Sequence, residues 1–135
     1  MNKMKQKCNH IGLMTGNANM LVKFYIEKLG FRESGARLIP ASLMKQLFGL
    51  SCECQMTKLV LGEIVLEIFN PADIDISLRT EDTSGLNHWG LYVSDKESFC
   101  QDLASKGVEI IKAPNKDRYI YFIKDPEGNR IEVFD

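Results

Sequence analysis

The sequence predicts an α+β protein made of two βαβββ modules, whose sheets would together form an incomplete barrel. The main observation is an internal repeat: HIGL at 10–13 recurs as HWGL at 88–91, and LEIF at 66–69 is matched by IEVF at 131–134. Such self-similarity indicates that one structural unit occurs twice. In each copy a strand is followed by a helix and then by further strands, the last of which carries a glutamate.

The first copy is predicted to cover about residues 8–69. CNHIGLM alternates as a half-buried strand, and Leu21, Phe24 and Tyr25 then recur at helical spacing until Gly30 ends the helix. Three more strands are predicted at 31–37, 53–61 and 63–69, the last two hinged at Gly62.

The first copy is longer than the second. The spacing from histidine to glutamate is 57 residues in the first copy and 44 in the second. Segment 38–50 accounts for the difference, and we interpret it as a short extra helix with Pro40 at its start and Gly49 at its end. The sequence leaves open whether this helix is a lid over a binding site or a surface insertion.

The second copy is predicted to cover 86–135, after a polar linker at 70–85. Ser94 and Glu97 are expected to form a capping box that opens a helix ending near Gly107. Strands are predicted at 87–93, 108–112, 118–124 and 129–134, with a type I turn at 125–128 between the last two.

Composition and charge exclude several classes of function. The 135 residues are 44% hydrophobic with a formal net charge of −1, which is ordinary for a globular domain and gives no basic surface for nucleic acid. No apolar run approaches the length of a membrane span, and residues 1–8 are not expected to form a signal peptide, because no apolar core follows their lysines. The four cysteines lack CxxC spacing, so we expect free thiols. The balanced charge favours a small-molecule ligand, and a cytoplasmic location is expected by default.

Strand alternation places four polar side chains on the faces that the helices leave open. His10 shares this orientation with Glu67, and His88 shares it with Glu132. A carboxylate among apolar strand residues needs a partner or a cation. Two imidazoles and two carboxylates would form a donor set suited to Ni, Co, Zn, Mn or Fe. The pattern therefore predicts one divalent metal site if the two faces meet.

Three aromatic side chains share the orientation of these four residues. They are Phe69, Tyr92 and Phe134. Each is a candidate for lining the substrate site, although an aromatic at such a position can also simply pack against its neighbour.

The sequence resembles the vicinal oxygen chelate superfamily, which includes glyoxalase I. The resemblance rests on the two modules, on HxGL in the first strand of each, and on DPEGNRIEVFD at 125–135. In that family an incomplete barrel surrounds a divalent metal, and the ligands come from the first and last strands of each module. The resemblance therefore implies His10, Glu67, His88 and Glu132 as the metal ligands.

This ligand pattern is most similar to that of bacterial-type glyoxalase I. In that enzyme the hemithioacetal of a 2-oxoaldehyde and a thiol is isomerised through an enediolate, which implies Glu132 or Glu67 as the base. The metal implied is Ni, Co or Zn, with Fe or Mn as alternatives. Basic side chains available for the carboxylates of a thiol such as glutathione are Arg37, Lys58, Arg118 and Arg130.

Other members of the superfamily remain alternatives. Methylmalonyl-CoA epimerases place an amide where Glu67 stands, and extradiol dioxygenases use two histidines and one carboxylate on Fe(II). Antibiotic-sequestering members bind small molecules and can lack the metal. Open sheet edges also favour a homodimer, with the site built within one chain or across two.

Overall fold

The computed structural model describes residues 5–78 and 83–135. These residues form two compact units, which we call the first module, ending at Ile76, and the second module, beginning at Ser77. The elements of the first are β1 (Ile11–Met14), α1 (Ala18–Leu29), β2 (Arg32–Ile39), α2 (Ala41–Phe48), β3 (Cys54–Leu61) and β4 (Ile64–Pro71). Those of the second are β5 (His88–Tyr92), α3 (Lys96–Ser105), β6 (Ile110–Asn115), β7 (Arg118–Lys124) and β8 (Arg130–Phe134).

The predicted α+β class and the two βαβββ modules are confirmed, with α2 inserted in the first. The strand order is β1-β4-β3-β2 in one sheet and β5-β8-β7-β6 in the other. In each sheet the first and last strands of the module pair in parallel, and the other pairs are antiparallel. This order places the HxGL strand directly beside the strand that carries the glutamate.

One face of each sheet packs against its own helix. In the first module α1 contacts β3 and β4, and its Leu21 and Tyr25 are fully buried together with Leu66 and Ile68. In the second module α3 contacts β6 and β7, and its Leu103 is buried. These apolar faces are the ones that strand alternation predicts for the helix side.

A side chain at the end of β4 and another just after β8 hold the first turn of the helix in their modules. The Oδ1 atom of Asn70 accepts a hydrogen bond from the backbone N–H of Ala18 at 2.9 Å, and Oδ2 of Asp135 accepts one from Lys96 at 3.0 Å. Both bonds satisfy N–H groups that have no partner within a helix. The structural repeat thus extends one residue beyond the motifs recognised in the sequence.

The expected capping box of α3 is wrong. Asp95, and not Ser94, is the N-cap, and its carboxylate accepts hydrogen bonds from the backbone N–H and the hydroxyl of Ser98 at 3.1 and 3.0 Å. A carboxylate accepts such bonds better than a neutral hydroxyl, which favours the cap one residue later. The two bonds from Ser98, the backbone one first, lower the pKa of Asp95.

The other helix boundaries follow the prediction. Both α1 and α2 end at a glycine with positive φ, Gly30 at 83° and Gly49 at 72°, and α2 begins after Pro40. Strand β6 begins later than predicted because the N–H of Val108 still bonds to Leu103 at the end of α3. No helix in the described part of the chain is long and apolar enough to cross a membrane.

The linker predicted at 70–85 begins two residues later in the structure. Asn70 and Pro71 continue β4, because they pair with Gln55 and Cys54 in the β3–β4 ladder. The boundary between the modules lies within the predicted segment 70–85, of which residues 79–82 lie outside the described residues. Residues 1–4 of the N-terminal segment lie outside them as well.

The DPEGN segment forms the predicted turn and is held by a buried carboxylate. The N–H of Gly128 donates to the carbonyl of Asp125 at 3.0 Å, which closes the turn. Oδ1 of Asp125 accepts from the N–H groups of Glu127 and Asn129 at 2.9 Å, and Oδ2 accepts from the side-chain amide of Asn129 at 2.9 Å. The motif that carries much of the family resemblance therefore has a structural role at the entrance to β8.

We expect Asp125→Ala to lower the free energy of unfolding by about 3 kcal/mol, because it leaves buried donors without their charged acceptor. Asp125→Asn keeps one acceptor oxygen and should cost about 1 kcal/mol. Urea unfolding followed by circular dichroism measures both. The exposed Asp117 in the β6–β7 turn supplies the control Asp117→Ala, and equal stability of the Asp117 and Asp125 variants would contradict this role.

Candidate metal centre

Each module brings one histidine against one glutamate. In the first module Nδ1 of His10 lies 3.4 Å from Oε2 of Glu67, and in the second Nε2 of His88 lies 3.8 Å from Oε2 of Glu132. The histidine side chains are more than one third exposed, whereas the glutamates are largely buried at 17% and 22% exposure. Both pairs are accessible from solvent through their imidazoles.

The two pairs occupy equivalent positions in the parallel ladders. Gly12 lies opposite Glu67 in β1–β4, and Gly90 lies opposite Glu132 in β5–β8. The histidine is two residues before the glycine in both. His88 is the first residue of β5, but β1 begins only at Ile11, so His10 precedes its strand and the longer strand predicted from residue 8 is wrong at its start.

The glycine of each HxGL segment accommodates an aromatic ring. A Cβ added at Gly12 would lie 3.6 Å from a ring carbon of Phe69, and one added at Gly90 would lie 3.5 Å from Phe134. The two phenylalanines lie on the same sheet faces as the glutamates, since each is two residues farther along its strand. The ring centre of Tyr92 lies 5.7 Å from that of Phe134, with the two ring planes tilted by 48°, and Tyr92 is 82% exposed.

The donor atoms of each pair suit a divalent metal. Imidazole nitrogen and carboxylate oxygen bind Zn²⁺ at about 2.0–2.2 Å, which places two ligand atoms about 3–3.5 Å apart. Nε2 of His88 and Oε2 of Glu132, 3.8 Å apart, lie slightly beyond this range. The 3.4 Å separation in the first module is measured from Nδ1 of His10, which is also the ring nitrogen nearest Asn9. Both pairs therefore have donor types that suit a metal, but Nε2 lies beside the carboxylate in the second pair and Nδ1 does so in the first. Within residues 5–78 and 83–135, no group of three or more His, Cys, Asp or Glu side chains could hold a metal ion.

The residues opposite the two glutamates differ. Lys58 of β3 is the cross-strand neighbour of Glu67, whereas Phe122 of β7 is that of Glu132. The ring of Phe122 lies 5.0 Å from the ring of His88 in an edge-to-face arrangement. The first pair thus has a lysine as its cross-strand neighbour, and the second has a phenylalanine.

The inserted helix α2 packs on the glutamate-bearing face of the first sheet. Its Met44 is fully buried in a cluster with Ile39, Cys54 and Met56. The register places Met56 opposite Phe69, so this cluster lies on the side of the sheet that α1 does not cover. Phe48, at the end of α2, makes an edge-to-face contact with Phe69 at 5.7 Å. The insertion therefore covers part of the face on which Glu67 lies.

The candidate basic residues are spread over both modules. Arg37 is exposed and lies opposite Met56, which puts it on the same face as Glu67 and Lys58. Arg130 lies opposite His88 in the β5–β8 ladder. Arg118 instead lines a polar cavity with Asp95, Lys96 and Asp135 at the start of α3.

Sequence reasoning missed two asparagines that precede the histidines. Oδ1 of Asn9 lies 2.8 Å from Nδ1 of His10, and Oδ1 of Asn87 lies 2.8 Å from Nδ1 of His88. The signal was present in the sequence, because the repeat is NHIGL and NHWGL and not merely HxGL. Both imidazoles therefore have the same neighbour on the same ring nitrogen.

The cysteines are free, and three of them are buried, namely Cys52, Cys54 and Cys100. Burial raises the pKa of Cys54 and raises that of Cys100 to about 11. Because the thiolate is the reactive form, we expect a thiol reagent at about pH 8 to label the exposed Cys8 first and Cys100 only after unfolding. Counting labels by mass spectrometry, with Cys8→Ser as the control, tests this expectation. Rapid labelling of Cys100 in the folded protein would contradict it.

Comparison with known proteins agrees with this fold. The family model described as Glyoxalase/Bleomycin resistance protein/Dioxygenase superfamily matches residues 7–133. A glyoxalase family protein from Enterococcus faecalis has 22% identity and a TM-score of 0.71, with 96% of this chain and 98% of that chain covered.

Two solved structures with named activities are similar as well. For the trypanothione-dependent glyoxalase I of Leishmania major the identity is 20% and the TM-score 0.70, with 97% and 87% of the two chains covered. For the fosfomycin resistance protein FosX of Mesorhizobium loti these values are 14% and 0.64, with 97% and 92% covered. At such identities the likeness shows a shared fold. Together with the match over residues 7–133, it establishes that this chain belongs to the glyoxalase/bleomycin resistance protein/dioxygenase superfamily.

Proposed function

We propose that this protein is a divalent-metal-dependent lyase or isomerase of the glyoxalase I type, acting on the hemithioacetal of a small 2-oxoaldehyde and a thiol. The observation that carries the proposal is the His–Glu pair in each module, at the same register relative to a glycine. We propose that His10, Glu67, His88 and Glu132 bind one metal ion, with Ni, Co or Zn favoured. The pairs would come from one chain or from two copies in a homodimer.

The reaction requires a proton to move between neighbouring carbons of the substrate. When bound, the metal would act as a Lewis acid towards the substrate oxygens. Glu132 or Glu67 would take the proton from one carbon and return it to the next. Substitution of each glutamate in turn distinguishes these two candidates.

The substrate would contact the residues that share a face with the glutamates. Phe69, Phe134 and the exposed Tyr92 offer apolar surface, and Arg37 is available for a carboxylate of the thiol. An aromatic surface beside a few polar groups is typical of small-molecule sites. This arrangement supports a substrate that has both an apolar and an anionic part.

We expect Phe48→Ala to raise KM about tenfold, because it removes the ring from α2 that contacts Phe69, while metal affinity stays the same. Steady-state kinetics and metal titration together test this prediction. Ile26→Ala, on the exposed part of α1, is the control. Unchanged KM in Phe48→Ala would show that α2 does not take part in substrate binding through this ring.

The experiment that tests the function is reconstitution. The protein is stripped with a chelator, loaded in turn with Ni, Co, Zn, Mn and Fe(II), and assayed with methylglyoxal and either glutathione or another thiol. The proposal expects thioester formation with Ni, Co or Zn. Oxygen consumption that requires Fe(II) would instead assign a dioxygenase, and undiminished small-molecule binding after chelation would assign a metal-free binding or resistance protein. The oligomeric state follows from analytical ultracentrifugation of the same samples.

A further inference from the structure

We propose that Asn9 and Asn87 are positioning residues that hold His10 and His88 in the tautomer with the proton on Nδ1, which leaves Nε2 as the metal-binding nitrogen. This inference rests on the proposed metal site. It concerns the protein before any metal binds, so it can be tested separately.

The chemistry of the amide oxygen supports the assignment. A carbonyl oxygen accepts hydrogen bonds and carries no proton, so a ring nitrogen 2.8 Å from it must be the donor. The same contact occurs at Nδ1 of both His10 and His88, although the two lie in separate modules. Two occurrences of one contact, made by residues at equivalent positions of the repeat, indicate a shared role.

The local backbone is suited to this contact. Within a regular strand, neighbouring side chains point to opposite faces and do not meet. Asn9 and His10 both precede β1, and Asn87 precedes β5, so each pair lies where the strand has not begun or is just beginning. The position just before the strand therefore allows an asparagine to reach the next side chain.

The two histidines differ in which ring nitrogen lies near the glutamate. Oε2 of Glu67 also lies on the Nδ1 side of His10, at 3.4 Å, and provides a second acceptor for the same proton in the metal-free protein. Binding of one metal by both Nε2 of His10 and Glu67 would therefore require the carboxylate to move away from Nδ1. Glu132 lies on the Nε2 side of His88 at 3.8 Å, beyond hydrogen-bond distance. Asn87 is thus the close acceptor for His88, and losing it should disturb its histidine more than losing Asn9 disturbs His10.

A metal-binding imidazole needs this division of its nitrogens. The metal takes the lone pair of one nitrogen, and the other nitrogen commonly donates its hydrogen to an acceptor in the protein. In water, the form with the proton on Nε2 is the more populated tautomer of a neutral histidine side chain. Without the asparagine, the metal-binding nitrogen would therefore carry a proton more often.

The test uses the fact that the chain contains only two histidines. Long-range ¹H–¹⁵N spectra of metal-free protein, recorded at a pH where imidazole is neutral, report the tautomer of each ring. We expect both wild-type rings to carry the proton on Nδ1. Asn87→Ala should shift His88 towards the Nε2 form, Asn9→Ala should shift His10 less, and Asn87→Asp, which keeps the acceptor, should restore the wild-type tautomer. Asn19→Ala, an exposed asparagine on α1, is the control.

A second readout is metal affinity. Titration with Co²⁺ should show binding about tenfold weaker in Asn87→Ala than in wild type or Asn87→Asp. Wild-type rings with the proton on Nε2, or tautomers unchanged by Asn87→Ala, would overturn the inference. If the tautomers change as expected but wild type binds no Co²⁺, the positioning role stands and the proposed metal-dependent function fails.

Discussion

Replacing Glu132 with glutamine is expected to reduce kcat for the proposed isomerisation by about 10³-fold. Glutamine keeps the size of the side chain and one carbonyl oxygen, but it cannot accept and return a proton at neutral pH. General acid–base catalysis contributes about 10²–10⁴-fold to such reactions, and a weakened metal ligand adds to the loss. The substitution therefore shows whether Glu132 is an essential base or only a part of the binding surface.

Measuring metal content beside turnover distinguishes the two roles of Glu132. If metal stays bound and kcat falls, the carboxylate acts mainly as the base, whereas loss of both shows that it is chiefly a ligand. Glu67→Gln is measured in parallel, since Glu67 is the other candidate base. Glu63→Gln, an exposed glutamate in the turn between β3 and β4, is the matched control. Full turnover in Glu132→Gln with metal bound would exclude Glu132 as the base.

Removing either histidine is expected to abolish stoichiometric metal binding. After reconstitution and dialysis, wild-type protein should retain roughly one metal ion per chain, because four ligands from two pairs complete one site. His10→Ala or His88→Ala leaves three ligands, and we expect affinity to fall by at least about a hundredfold, because even losing a hydrogen-bond partner of a ligand costs about 10–100-fold. Elemental analysis measures the retained metal, and chelator competition measures the affinity.

The pair of histidine variants tests whether the two modules supply one site. Loss of metal in both variants supports a shared four-ligand site. If His88→Ala loses the metal but His10→Ala retains it, the site belongs to the second module alone. Retention in both would place the metal elsewhere, and circular dichroism confirms that each variant remains folded. Since both imidazoles are more than one third exposed, neither substitution should create a core cavity.

The repeat and strand alternation were enough to predict most of the fold. HxGL marks the first strand of each module, and LEIF or IEVF marks its last strand. Within these strands, the period of two residues separates helix-facing from open-facing side chains. The same alternation put Phe69 and Phe134 on the faces of the glutamates, which agrees with the observed register. Glycines at positive φ marked the ends of α1 and α2, because other residues rarely adopt that conformation.

Other features depended on contacts that strand and helix patterns do not encode. Asp95 displaced Ser94 as the cap of α3 because its carboxylate reaches both donors of Ser98. The sequence does not predict which side of the sheet α2 covers. In the structure, Met44 packs with Cys54 and Met56 and so determines that side. A helix of eight residues can pack on either face of a sheet. The side chains that contact its buried methionine, Met44, determine which face it covers.

The sequence by itself determined the superfamily, the two-module architecture and a His–Glu pair in each module, because all three follow from repeated residues at fixed spacing. Only the tertiary structure decided which ring nitrogen faces each neighbour, and which residues lie opposite the glutamates. Lys58 and Phe122 become neighbours of Glu67 and Glu132 through the registers of β3–β4 and β7–β8. Such pairings join residues distant in the chain, and hydrogen bonding between strands fixes them rather than the preference of any one residue.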